Sequence, residues 1–354
     1  MATMTMTRPY ARSWVNVVTA WLESLPGPTW LAYAVAATAW TLASSFAPGA
    51  SVWAIAPTDL AFGPALSATL YYGTLPVAVL GLMHLLDSRA RLAVAALAPR
   101  LALDPEAVAE LTYRLSVAPA RPAAIIAIAA PAFTAIGFIL DPVGSGIVGY
   151  DSVAMAFRIV AEALITALFV VLLLHTFRQL RLIAGIHRDI TEFSLFDQGP
   201  LYGMSGVTST TAIGLLLLLG PSVLLIPAGA NAAYIVLTAF WYGLAGVVAA
   251  AAFFLPLRGV HDRLGAEKRR LRGEVGRRIA QTAEALNAAV DTGDGPAVDL
   301  RHRSLMALVA ERDLVERAPT WPWSGSSITG LISAILLPLV LFMIQRGLAA
   351  FLPG

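Results

Sequence analysis

Long apolar runs separated by short polar and basic stretches organise the whole chain. Seven runs stand out: Pro28 to Ala47, Leu66 to Leu86, Ala123 to Leu140, Ser152 to Phe177, Ser209 to Ile226, Ala230 to Leu257, and Ile328 to Phe351. Each holds roughly 20 residues or more, and at 1.5 Å per residue that length crosses a hydrocarbon core of about 30 Å. The pattern predicts an all-α, polytopic helical membrane protein with seven transmembrane helices. Two of these helices continue past the bilayer. After the fourth run, His175, Thr176, Arg178, Gln179, Leu180, Leu182 and Ile183 keep a helical pattern, with no proline before Pro200. After the sixth, Val260, Leu264, Leu271, Val275, Ile279, Leu286 and Val290 recur at spacings of three, four or seven on a basic background. That spacing predicts an amphipathic helix of roughly 30 residues.

Thr292 to Pro296 then reads as a turn, and Leu305, Leu308, Val309, Leu314 and Val315 mark a returning amphipathic helix. Pro319 and Pro322 close it, with Trp321 and Trp323 as an interfacial anchor before the last run. At the other terminus, Trp14, Val17, Val18, Trp21 and Leu22 fit a helix lying in the headgroup boundary, ended by Pro26 and Pro28. No continuous apolar stretch in Met1 to Leu25 resembles a cleavable signal. The expected division is an N-terminal cytoplasmic or interfacial helix over 1–27, spans one to six over 28–257, a cytoplasmic helical hairpin over 258–322, and span seven over 323–354.

Composition sharpens the class. Hydrophobic residues make up 58% of the chain and charged residues 13%, against about 25% in ordinary soluble domains. The net charge of +2 hides a strong asymmetry. When alternate connections are assigned to one face, that face collects 22 of the 24 cations, leaving Arg158 and Arg346 near the other. The bias predicts insertion in the plasma (inner) membrane with the N-terminus cytoplasmic and the C-terminus outside.

Chemistry-bearing residues are few. Cysteine is absent, which removes disulfides and thiolate chemistry. His84, His175, His187 and His261 fall near the inner ends of spans, with Asp87, Asp189 and Asp262 nearby. They lack HxxxH or HExxH spacing, so hydrogen-bonded interfacial roles are expected rather than a metal site. With no GxSxG elbow and no Gly-rich phosphate loop either, no catalytic residue, metal or cofactor is expected. Inside the spans, Arg158 and Glu162 lie i, i+4 in the outer half of the fourth. They read either as a ligand or ion contact or as a self-neutralised pair tying helices together. Tyr71, Tyr72, Trp241 and Tyr242, with Trp53 and Tyr234, lie toward the outer side, where they line an outward pocket or form an interface belt. The last span carries no charge between Ile328 and Gln345 and has Pro338 in its middle. It fits both an ordinary span and a pore helix closed by a hydrophobic constriction.

This arrangement of spans and extensions resembles the insect chemoreceptor-like superfamily of seven-transmembrane ion channels, the odorant and gustatory receptors and their remote relatives. The resemblance covers nearly the whole chain and lies mainly in topology. The family's last span carries Thr-Tyr, five apolar residues and Gln-Phe; here Val340 to Ile344 and Gln345 match the apolar run and the Gln, whereas Pro338, Leu339 and Arg346 stand in place of Thr, Tyr and Phe. With 23 Arg against one Lys, the relation it implies is a remote prokaryotic one. The resemblance implies a ligand-gated cation channel built as a homo-oligomer, a tetramer in the family, with the last span lining the pore through Val340, Met343 and Gln345. Arg158, Glu162, Tyr71, Tyr72, Trp241 and Tyr242 would then bind a small outward-side ligand. The expected partners are the lipid bilayer, further copies of the chain and that ligand, with no nucleic acid. The alternative is a secondary transporter with Arg158 and Glu162 as its substrate or proton site. A third is an intramembrane metal enzyme using the inner histidines.

Overall fold

A computed structural model describes residues 9–46, 64–140, 152–191, 194–226 and 232–351. Trp53 lies outside these residues, and the side chain of Tyr234 is not among those described. Eleven α-helices appear among the described residues: α1 Trp14–Ser24, α2 Thr29–Phe46, α3 Pro64–Leu97, α4 Pro105–Ser116, α5 Ala120–Leu140, α6 Ser152–Ile186, α7 Gly199–Leu219, α8 Ala232–Phe254, α9 Arg258–Asp291, α10 Gly295–Arg317 and α11 Gly325–Phe351. No strand is present among them, as expected for an all-α chain.

Six helical segments in the described residues are long and apolar enough to cross a membrane. They correspond to the second through seventh runs. The first run forms α2, an 18-residue helix interrupted by Trp30, Tyr33, Trp40 and several Thr and Ser, and it is not among the six. The large apolar side chains of α5, α8 and α11 face outward in number, including Ile128, Phe133, Ile139, Val236, Phe240, Val247, Ile332, Leu339 and Met343. A surface of that kind fits hydrocarbon and does not fit water.

The bundle is built around α3, which packs against α2, α4, α6 and α7. Small residues permit the closest approaches. A Cβ on Gly203 of α7 would lie 2.9 Å from the Ala93 Cα of α3, so the two backbones nearly touch there. Gly73 of α3 sits as tightly on the Thr41 side chain of α2. Leu75, Val79, Leu82 and Met83 of α3 belong with Ile165, Leu168, Val171 and Leu172 of α6 to one buried apolar cluster.

At one end of the bundle, here called the basic end, α6 runs unbroken to Ile186, and Ile183, Ile186 and Ile190 join Leu257, Val260, Leu264, Val315 and Ala318 in the same core. That contact seats the root of the α9–α10 hairpin. Gly293 takes the left-handed conformation (φ +69°) that the tight turn requires, and the Asp294 side chain caps α10 on the Ala297 amide at 3.2 Å. Arg272–Glu316 (2.9 Å) and Arg278–Glu311 (3.5 Å) cross between the two helices. The hydrogen bond and charge of Arg272 hold the Glu316 carboxyl below the usual carboxylate range. At the root, His261 stacks on Trp321 (3.9 Å), Trp321 on Trp323 (4.2 Å), and Trp323 meets Phe253 and Phe254. The two tryptophans thus form a packed aromatic column as well as occupying the junction before α11.

The N-terminal helix turns a different face inward from the one its apolar spacing singles out. Val15, Asn16, Thr19 and Leu22 are buried, while Val17 and Trp21 are exposed. The Trp14 indole donates to the Ala123 carbonyl (3.1 Å).

Candidate functional site

Two buried polar stations occupy the ends of the α3–α6 pair. The first contains five of the six residues expected to bind a ligand. Arg158 Nη2 meets Glu162 Oε1 at 2.8 Å, with Arg158 buried and Glu162 partly so. The Arg158 guanidinium lies 5.9 Å from the Tyr72 ring centre, and Tyr72 meets Tyr71 edge-on at 5.1 Å. The Tyr71 hydroxyl donates to the Leu218 carbonyl (3.2 Å) beside the Ser222 and Tyr242 hydroxyls, which are 2.6 Å apart. The structure therefore brings Arg158, Glu162, Tyr72, Tyr71 and Tyr242 into one track. Trp241 is not part of it: its ring is exposed on α8 and contacts Phe240.

The three positions grouped as pore-lining separate. Val340 and Met343 are exposed on the outward face of α11, but Gln345 turns into the bundle. Its amide donates to the carbonyls of Ile226 (2.9 Å) and Leu224 (3.4 Å), which end the tight turn after α7. Gln345 thereby fastens the far half of α11, beyond Pro338, to its own chain. Gln345→Leu is expected to cost about 1–3 kcal/mol by orphaning two carbonyls. Hydrogen exchange around 340–347 should quicken while exchange in α9 stays unchanged; unchanged exchange at both places would refute the fastening role.

The second station was not assembled from sequence. Asp87 of α3 (4% exposed) and His175 of α6 (0% exposed) meet with Oδ1 and Nε2 2.7 Å apart. Gln179, one turn further along α6, donates to the same oxygen (3.3 Å) and to the Leu115 carbonyl at the end of α4 (2.6 Å). Asn16 of α1 donates to Asp87 Oδ2 (3.3 Å) and accepts from the Ala118 amide (2.8 Å) and the Ser13 hydroxyl (2.8 Å). Four helices are thus joined through one carboxylate. Local structure explains the geometry: His175 and Gln179 are i, i+4 and share a face of α6. Residues 11–13 pair antiparallel with 118–120 through the Ser13 and Ala120 amides, which fixes α1 beside the start of α5. Above this pairing the Arg178 guanidinium lies 4.4 Å over the Tyr10 ring, and burial pushes the Tyr10 phenol up from its ordinary value.

The arrangement can hold a proton between a carboxylate and an imidazole away from bulk water. The signal that pointed to it was an Asp and a His inside otherwise apolar helices. What spacing could not supply was their pairing across 88 residues. Two other histidines go elsewhere, His187 to the Ala184 carbonyl and His261 to the Thr320 carbonyl, while His84 lies near Asp87 and meets the Tyr33 ring edge-on. Among the described residues, no three His, Asp or Glu side chains converge as a metal-ligand group.

Outward apolar helices around buried ionisable residues define a multi-pass helical membrane protein. Compared with protein-family models, curated proteins and solved structures, the chain matches none.

Proposed function

We propose that this chain is a seven-span protein of the plasma (inner) membrane, N-terminus cytoplasmic, that acts as a secondary transporter for a small polar solute coupled to protons. One observation carries the reading: the α3–α6 pair holds ionisable side chains at both ends, with a dry middle of Leu75, Val79, Leu82, Ile165, Leu168 and Leu172 between them. From Glu162 to His175 the helix rises roughly 20 Å, most of a hydrocarbon core. Ionisable groups inside membranes commonly mark substrate and proton routes. In this reading Arg158 and Glu162 form the outer site, Asp87 and His175 the inner one, and the apolar middle is the barrier that rocking helices open in turn. The cation bias of the connections supports the orientation, with the basic end cytoplasmic. α2, seated against Gly73 of α3, supplies the first span.

The test is proton flux into proteoliposomes containing a trapped pH dye, with added amino acids, amines, organic acids and monovalent cations. Wild type is expected to acidify the lumen with at least one of these solutes, and Glu162→Gln to abolish that signal. A wild-type protein silent towards all four classes would overturn the reading.

A second reading, a homo-oligomeric ligand-gated cation channel, is favoured by the outer face of α11. Ile328, Ile332, Leu336, Leu339, Val340 and Met343 are exposed there, and Leu300, Met306 and Leu314 are exposed on α10, outside any span. Copies of the chain would cover both surfaces, with Val340 and Met343 facing a shared axis and the Arg158 track binding the ligand. Electron cryomicroscopy in lipid nanodiscs decides it: a ring with α11 at its axis supports the channel, and a monomer or an axis without α11 removes it.

A further inference from the structure

A cavity of about 630 Å³ opens at the basic end against α1, α3 and α4. Its size falls in the ordinary range for small-molecule sites. The wall carries both signs of charge, Arg12 and Arg91 against Glu23 and Asp87, with the His84 imidazole beside them. Direct pairing between them is absent among the described residues, although the charges of Arg91 and His84 reach Asp87. Among the described residues, Arg12, Arg91 and Glu23 form no ion pair, and Asp87 pairs with His175 from the side of α6.

The backbone of one arginine and the side chain of the other are anchored. Arg12 sits on the backbone pairing of 11–13 with 118–120, and the Arg91 Nη2 donates to the Ser88 hydroxyl (3.1 Å). An ionised carboxylate offers about four acceptor directions. Asp87 uses two on Oδ1, for His175 and Gln179, and one on Oδ2, for Asn16. One direction on Oδ2 stays open on a residue that borders the cavity.

A ligand of one sign would be attracted by one pair of these residues and repelled by the other. A solute carrying both charges, separated by a short linker, answers both. We propose that this cavity binds a small zwitterionic solute of the amino-acid class, its ammonium on Asp87 and its carboxylate between Arg12 and Arg91. Glu23 adds a negative charge at the rim that draws the ammonium end inward first. Tyr113, Thr19 and Ser116 donate their hydroxyl protons to the carbonyls of Tyr10, Asn16 and Thr112, which leaves their oxygens as acceptors for a ligand donor. The inference rests on the cavity and not on transport, so binding without solute-coupled proton flux keeps it while removing the transporter reading.

The experiment is calorimetric titration of the full chain in nanodiscs with glycine, β-alanine, γ-aminobutyrate and 5-aminovalerate, and separately with acetate and methylammonium. One length in the series is expected to bind at least about tenfold tighter than either single-charge probe, because two charge-assisted contacts act together. Arg91→Gln and Arg12→Gln, exposed positions away from the buried core, are each expected to weaken that ligand about tenfold while binding methylammonium no more weakly than wild type, since each removes a repelling cation. Asp87→Asn should weaken methylammonium as well, with the thermal melt of the variant reporting whether the bundle stays closed. A series in which no member exceeds its single-charge halves overturns the proposal. Full affinity in both arginine variants does so too, by placing the ligand elsewhere.

Discussion

Asp87→Leu is expected to destabilise the bundle by about 3–5 kcal/mol, the cost of breaking a buried pair and orphaning the fully buried donors of His175 and Gln179. The carboxylate takes hydrogen bonds from His175, Gln179 and Asn16, so its loss acts on α6, α1 and the end of α4 together. Asp87→Asn keeps the shape and one acceptor oxygen, and it should recover about half of the loss. Unfolding in lipid bicelles, followed by denaturant titration, measures both. Hydrogen exchange should place the damage at the basic end, with α1 the first element to open. If Asp87→Leu melts within about 0.5 kcal/mol of wild type, the four-helix junction is not closed in the membrane.

The second large effect is expected at a glycine. Gly203→Ala should cost about 1–3 kcal/mol, because the new methyl would meet the Ala93 Cα at 2.9 Å and its Cβ at 3.1 Å. Neither atom can swing aside without moving a helix, so α3 and α7 must separate. Gly214→Ala looks worse by distance, 2.4 Å to the Leu82 Cδ1, but that atom is the far end of a side chain with other rotamers. It should cost less, offset in part by the 0.5–1 kcal/mol or so that Ala contributes over Gly within a helix. The same bicelle titration ranks the two. The reverse order would show that the α3–α7 contact yields more easily than the Leu82 packing.

Much of the fold was legible because the bilayer imposes so plain a rule on the chain. A run such as Ser152 to Phe177 has few alternatives to a spanning helix, and the seven- and four-residue spacing from Val260 to Val290 reads directly as α9. The Arg158–Glu162 pair was legible for the same reason: the two residues are four apart on one helix, so their contact follows from local geometry. Gln345 shows where that logic stops. One polar residue in an apolar helix announces a constraint, but its direction depends on where the turn at Leu224 and Ile226 comes to rest.

Sequence by itself determined the class, the helices and the local pair, since each depends on hydropathy and on periodicity within one segment. Tertiary structure decided which face of α1 turns inward, how α3 carries the close contacts, and that Asp87 finds His175, Gln179 and Asn16. Those facts depend on non-local contacts between helices far apart in the chain, whose partners spacing cannot name. In a low-dielectric interior each buried polar group must find such a partner, so the packing that supplies it also sets where charge can sit and where a polar cavity can open.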